Sequence, residues 1–291
     1  MHICQARGRR ALLLLITVCV VLAGCSRMNL AYRNLHLLIP WSINDYLDMN
    51  RDQQQRLRAQ LRDHLSWHCR TQLPLYLDAI ERLRHQVVQG DVNEATLRAH
   101  YQDAKQAVQT IAVEITPTTT QMLRDLDDEQ ISELSEAFAE DRREREKKYL
   151  QPPLEQQVRE RAQRMNERVE QWLGSVNAAQ RQRIFAWAHT LSEQNRFWLA
   201  NRAQWQQALS EALAKRHEEA FDNRIAKLLQ DRESFWTADY RDAFARTEQA
   251  AFDLVSDLYA LSDADQRRHF EAQLEDLHKD LSSLDCLPES R

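Results

Sequence analysis

Glycine is nearly absent from this chain of 291 residues, which holds four in all, at positions 8, 24, 90 and 174. β-Hairpins lean on Gly and Asn-Gly turns, and no such turn separates strand-like runs here, so a sheet architecture is not expected. Long apolar runs are missing as well. The longest, Ala11 to Gly24, falls short of the roughly 20 residues that a membrane helix needs. There is no Gly-rich phosphate loop, Gly-x-Ser-x-Gly elbow or Cys-x-x-Cys pair, so neither catalysis nor a cofactor is expected. The net charge is −5, and an acidic chain has no drive toward nucleic acid, whose binding rests on Lys and Arg against phosphates.

The residues that dominate instead are Gln, Arg, Glu, Ala and Leu, all good helix formers. The expected fold class is all-α, a multi-helix antiparallel bundle. Leu57, Leu61 and Leu65 repeat on one helix face. Pro74 opens the next helix, with Leu73, Tyr76, Ile80, Leu83 and Val87 as its stripe and Gly90 just past its end. A helix from about Asn93 should stop at Ile115, where Thr116-Pro117 breaks it. Asp127 starts a helix whose run Glu140 to Lys148 reads as a solvated, ion-paired face. Pro152-Pro153 is the candidate boundary between sub-lobes 49–151 and 154–291. Leu154 to Leu173 is helical up to Gly174. Further stripes run through Ile184, Trp187 and Leu191, and through Trp236, Tyr240, Phe244, Phe252, Val255 and Tyr259. At that spacing the tryptophans read as core.

One local pattern occurs four times. Asn50/Gln53, Asp127/Gln130, Asn177/Gln180 and Asp263/Gln266 each pair an Asn or Asp with a Gln three residues on. This is capping-box chemistry: the first side chain accepts from orphan backbone N–H groups while Gln reaches back.

The N-terminus carries an address. Arg7, Arg9 and Arg10 precede the apolar run, as in a secretory signal, and Leu22-Ala23-Gly24-Cys25 resembles the lipobox of bacterial lipoproteins. That resemblance implies a signal peptide over residues 1–24 and a mature chain beginning at Cys25. The mature chain would be anchored by acyl chains such as palmitate, which contribute about 0.8 kcal/mol per buried CH₂. Ser26, rather than Asp, follows the cysteine, which implies the periplasmic side of the outer membrane, with the inner membrane as the alternative. Residues 1–24 hold three of the 39 basic residues and none of the 44 acidic ones, so the mature charge is −8. Residues 25–48 then form a lipidated, apolar docking segment ahead of a helical domain, 49–291. Besides Cys25, the mature chain keeps Cys69 and Cys286, expected as a disulfide in an oxidising compartment; two unpaired buried thiols are the alternative.

Two further resemblances concern the body. Leu126 to Gln130 and Val176 to Gln180 resemble the Leu-Thr-x-x-Gln helix starts of Spy/CpxP-type periplasmic chaperones. The order Leu30-Ala31-Tyr32-Arg33-Asn34, Trp41, Asn44-Asp45-Tyr46-Leu47-Asp48, then Trp67-His68-Cys69-Arg70-Thr71-Gln72-Leu73-Pro74, resembles an uncharacterised family of proteobacterial lipoproteins. This second resemblance implies the address and a helical fold, and no activity.

His64 and His68 share a helix face but lack the Glu of a His-Glu-x-x-His hydrolase, so core hydrogen bonding is the expected role and metal the weak alternative. Trp41, Asp45, Tyr46 and Asp48 form the candidate recognition patch; helix capping would explain the same carboxylates. The expected function is therefore a non-enzymatic, membrane-anchored binding or structural protein of the envelope, touching the membrane through Cys25 and an unknown envelope partner. The alternatives are a chaperone-like holdase and an envelope enzyme that uses the Trp41–Asp48 region.

Overall fold

A computed structural model of the chain describes residue 32 and residues 34–284. The lipobox Leu22 to Cys25 and the second cysteine of the expected bridge, Cys286, lie outside the described residues. Within them stand eleven α-helices: α1 Leu35–Asn44, α2 Arg51–Thr71, α3 Leu73–Gln89, α4 Glu94–Arg124, α5 Asp128–Tyr149, α6 Leu154–Leu173, α7 Ala178–Thr190, α8 Gln194–Leu213, α9 Phe221–Gln230, α10 Ala238–Ala260 and α11 Ala264–Ser282. A 3₁₀ turn, Arg232–Phe235, links α9 to α10, and the described residues contain no strand. The fold is all-α, as glycine poverty and helix-forming composition require.

Most helix ends obey local chemistry. All four Asn/Asp–Gln pairs are reciprocal capping boxes, at the starts of α2, α5, α7 and α11. Gly90 ends α3 with a φ of 75°, a left-handed conformation that costs glycine little. Two prolines lie inside helices, and the one at 117 departs from the expected break. Pro40 sits inside α1, and Pro117 sits inside α4, which runs on to Arg124. An interior proline costs about 3 kcal/mol, and around Pro117 tertiary bonds hold the helix. Thr116 donates to the Ala112 carbonyl at 2.5 Å and accepts from Gln230 of α9 at 2.9 Å. Thr118 bonds His64 of α2 at 2.8 Å.

The core has two large parts. One joins α2, α5, α8 and α9 around Leu57, Leu134, Leu213, Phe221 and Ile225. The other joins α6, α7 and α10 around Val158, Leu173, Ile184 and Leu254. Fully burying one such side chain stabilises by about 1.5–3 kcal/mol. A smaller cluster, Val87, Val92, Tyr259 and Leu274, knits α3 to α10 and α11. Pro152-Pro153 turns the chain between α5 and α6, and α3–α11, α4–α9 and α5–α8 all pack across that turn. Of the tryptophans, Trp187 is buried; Trp41 and Trp172 are exposed and the others lie between, so helical spacing overstated their burial.

Each core holds a pair of buried glutamines. Gln53 Nε2 donates to Gln130 Oε1 at 3.0 Å and Gln130 Nε2 returns the bond at 2.7 Å. Gln180 and Gln266 do the same at 3.2 and 2.9 Å. Each Nε2 also donates to a backbone carbonyl near its partner's cap: Gln53 to Asp125, Gln130 to Asp48, Gln180 to Leu258 and Gln266 to Ser175. The capping boxes therefore do more than start helices. They join helix starts in twos, α2 with α5 and α7 with α11.

Candidate functional site

The four residues of the expected recognition patch differ in exposure. Trp41, Asp45 and Asp48 are exposed, while Tyr46 is half-buried. Tyr46 turns inward, donating to Asp141 Oδ1 at 3.1 Å. Asp141 is the hub of a charged network, accepting from Arg145 at 2.8 Å and from both Nε and Nη2 of Arg202 at 3.0 and 2.9 Å. Burial raises the Asp141 pKa, and the hydrogen bonds from Arg145 and Arg202 more than offset this, leaving it below the usual carboxylate value. The run Glu140 to Lys148 is thus not uniformly a solvated face: Asp141, with a side chain 13 % exposed, ties α5 to α8.

The two histidines point to different partners. The ring nitrogens of His64 lie 3.1 Å from Glu114 Oε1 and 2.8 Å from Thr118 Oγ1. Those of His68 lie 2.9 Å from the Tyr32 hydroxyl and 3.2 Å from the Tyr76 hydroxyl. A neutral imidazole can serve both tyrosines, donating through one nitrogen and accepting through the other. Burial holds the His68 pKa below its ordinary value. Burial, then the neighbouring Tyr76, push Tyr32 up to about 12. This Tyr-His-Tyr cluster fastens the start of the described chain onto α2 and α3. Beside it Cys69 is fully buried with Leu73 and Leu284. Among the described residues no group of three or more His, Cys, Asp or Glu could hold a metal.

A concave feature of the surface lies elsewhere. α5 and α8 diverge to leave a cleft of about 750 Å³, bordered by Phe138, Ala139, Ala203 and Phe235. It meets a second cleft of about 290 Å³ between α8 and α9, the two sharing Ala208, Glu211 and Phe235. Together they make a trough. Gln204 Nε2 donates to the Phe235 carbonyl at 3.0 Å, and Lys227 Nζ lies 5.7 Å from the Phe235 ring centre. Trp205 Nε1 donates to the Leu228 carbonyl at 3.0 Å, setting α9 against α8.

The polar groups of the trough are mostly donors. Arg142 borders the larger cleft, and Lys215, Arg224 and Lys227 border the smaller one; Glu211 is the one carboxylate in either lining. Gln206 is 6 % exposed and lines the larger cleft, and its Nε2 meets no hydrogen-bond partner. Arg224 spends Nη2 on Glu218 at 2.8 Å, and its buried Nη1 meets no partner. A buried donor without an acceptor costs about 1–3 kcal/mol. Both atoms are closed off from solvent, so the groups that the trough offers a guest are the exposed cations of its rim. Sequence reading missed this site because its residues come from α5, α8, α9 and the 3₁₀ turn, with no shared motif. The one legible hint is the small-residue series Ala200, Ala203 and Ala208.

Comparison with known proteins adds a family. Residues 45–241, more than half the chain, match a single family description. The chain belongs to the family of unknown function DUF6279. Tyr46, the Gln53/Gln130 pair, Asp141 and the trough all fall inside the stretch this DUF6279 chain shares with its family, whereas α11 falls beyond it. No curated protein and no solved structure matches the chain.

Proposed function

We propose that this chain is a lipid-anchored, periplasm-facing, non-enzymatic binding protein of the cell envelope, whose trough holds an acidic, partly apolar segment of a partner protein. The observation that carries the binding site is the sign of its lining: Arg142, Lys215, Arg224 and Lys227 border the trough against one carboxylate, Glu211. The surroundings specify the guest. Phe138 and Phe235 offer apolar contact, small alanines let another backbone approach, and Arg142, Lys215 and Lys227 favour carboxylates. That basic rim runs against a chain whose net charge is −5.

The anchor and the outer-membrane address rest on Leu22-Ala23-Gly24-Cys25 and Ser26. Cys25→Ala should abolish incorporation of labelled palmitate; persistent labelling would refute the anchor. A Cys69–Cys286 bridge belongs to the same reading, supported by the full burial of Cys69 beside Leu284, two residues short of Cys286. Two reactive thiols in the denatured, unreduced protein would remove it.

Titration of purified protein with acidic and basic amphipathic peptides, followed by fluorescence anisotropy, tests the trough. Acidic peptides should bind, and Lys215→Glu with Lys227→Glu should weaken binding at least tenfold. Equal affinity for both peptide charges would refute the assignment.

A further inference from the structure

α1 leaves an apolar face uncovered. Leu37, Leu38 and Trp41 are 59 %, 46 % and 67 % exposed. At 100° per residue they fall within one arc of the helix. The opposite side carries Leu35, Ile39 and Ile43, which are partly buried, and Ile43 packs against the core. The ten residues of α1 include no Asp, Glu, Lys or Arg. Scattered apolar side chains on a surface need no explanation. Three on one side of an uncharged helix call for an occupant.

The chain ahead of α1 indicates which occupant. The Tyr32 hydroxyl is fastened to His68 Nδ1 at 2.9 Å, and His68 Nε2 in turn meets the Tyr76 hydroxyl at 3.2 Å. Cys25 stands seven residues before Tyr32, and seven residues reach at most about 25 Å when fully extended. A lipidated Cys25 therefore keeps α1 close to the bilayer surface. No helix among the described residues is long and apolar enough to cross a membrane, so α1 can lie on the surface and cannot traverse it. Trp is the side chain best suited to the headgroup level, with an apolar ring and one N–H donor.

We propose that the outer face of α1, Leu37, Leu38 and Trp41, rests in the headgroup region of the membrane that carries the Cys25 anchor. This rests on the reading of Cys25 as lipidated and goes beyond it. The anchor alone leaves the body free to turn on its tether, whereas a seated α1 fixes one orientation and sets the direction in which the trough opens. The outer face is a second membrane contact beside the acyl anchor, adding buried apolar area at the interface.

The experiment uses the full lipidated protein reconstituted in phosphatidylethanolamine–phosphatidylglycerol vesicles that contain a lipid brominated near the top of its acyl chains. Flotation reads the anchor, and bromine quenching of tryptophan emission reads α1. Trp41→Phe, at an exposed position, leaves the fold intact and isolates the Trp41 signal. The expected result is flotation with quenching, most of the quenchable emission being lost in Trp41→Phe. Flotation with equal quenching in both proteins overturns the proposal and leaves the anchor standing. Unquenched Trp41 emission that changes with protein concentration assigns the face to a second copy and also overturns it. Failure to float overturns both readings.

Discussion

Gln53 and Gln130 exchange their side-chain amides across the starts of two helices, each Nε2 donating to the other's Oε1, at 3.0 and 2.7 Å. Each Oε1 also accepts from the backbone N–H of its own cap residue, Asn50 or Asp127. This explains the choice of residue. At the third position of a helix the macrodipole favours Glu, yet four of the five capping boxes among the described residues use Gln, the fifth pairing Asn93 with Thr96. A buried carboxylate could accept but not donate, and two facing each other would repel. An amide does both and stays neutral. The Gln180–Gln266 pair repeats the device in the second core.

Breaking one pair should therefore cost more than a cap. Gln53→Leu orphans donors of Gln130 and should destabilise by about 3 kcal/mol in urea unfolding. Gln53→Leu with Gln130→Leu should fall short of the sum of the singles by about 1 kcal/mol or more, because the two share one interaction. Gln53→Leu with Gln180→Leu should add to within about 0.5 kcal/mol, as the pairs sit in separate cores. Additivity within the first pair would contradict the structure.

His68 predicts a pH dependence. Its folded pKa lies below the ordinary imidazole value of 6.5, because burial disfavours the cation. The unfolded chain thus binds the proton more readily than the folded one. Stability is complete above pH 6.5 and is lost as the pH falls from there toward the folded pKa. His100, also lowered by burial with Arg82 nearby, adds to the same slope. Urea midpoints measured between pH 7.5 and 5 should fall, and His68→Gln should flatten the decline. An unchanged slope in that variant would remove His68 from the account.

Asp141 holds Tyr46, Arg145 and Arg202 together. Asp141→Asn removes the charge that two arginines share and should destabilise by about 1–3 kcal/mol, moderated because both arginine side chains are about a third exposed. Asp141→Asn with Tyr46→Phe should cost little more than Asp141→Asn alone. A variant as stable as the parent would show the network to be surface decoration.

The sequence disclosed the parts of this fold that depend on local chemistry. Capping boxes, Gly90 and the span Leu154 to Leu173 are decided by neighbours within one helical turn, and each is found where it was read. Pro117 was misread because the α2 and α9 contacts that carry the helix through it come from distant segments. Asp141 was hidden inside a charge run for the same reason, since its partners lie on the loop before α2 and on α8. The four glutamines were visible as caps, but their pairing across 77 and 86 residues was not. The trough was least legible of all: its walls come from helices that meet only in the folded chain, and Gln206 resembles every other glutamine of a Gln-rich sequence.

The trough is the central claim, and a photo-crosslinking residue placed at Ala203 in living cells tests it most directly, with Val108, exposed on α4, as the comparison position. Adducts from Ala203 should map to one acidic segment of a partner protein, should be missing from Val108, and should disappear when Lys215→Glu and Lys227→Glu are added. Adducts of the same kind from both positions, or adducts indifferent to the charge reversals, would contradict the account.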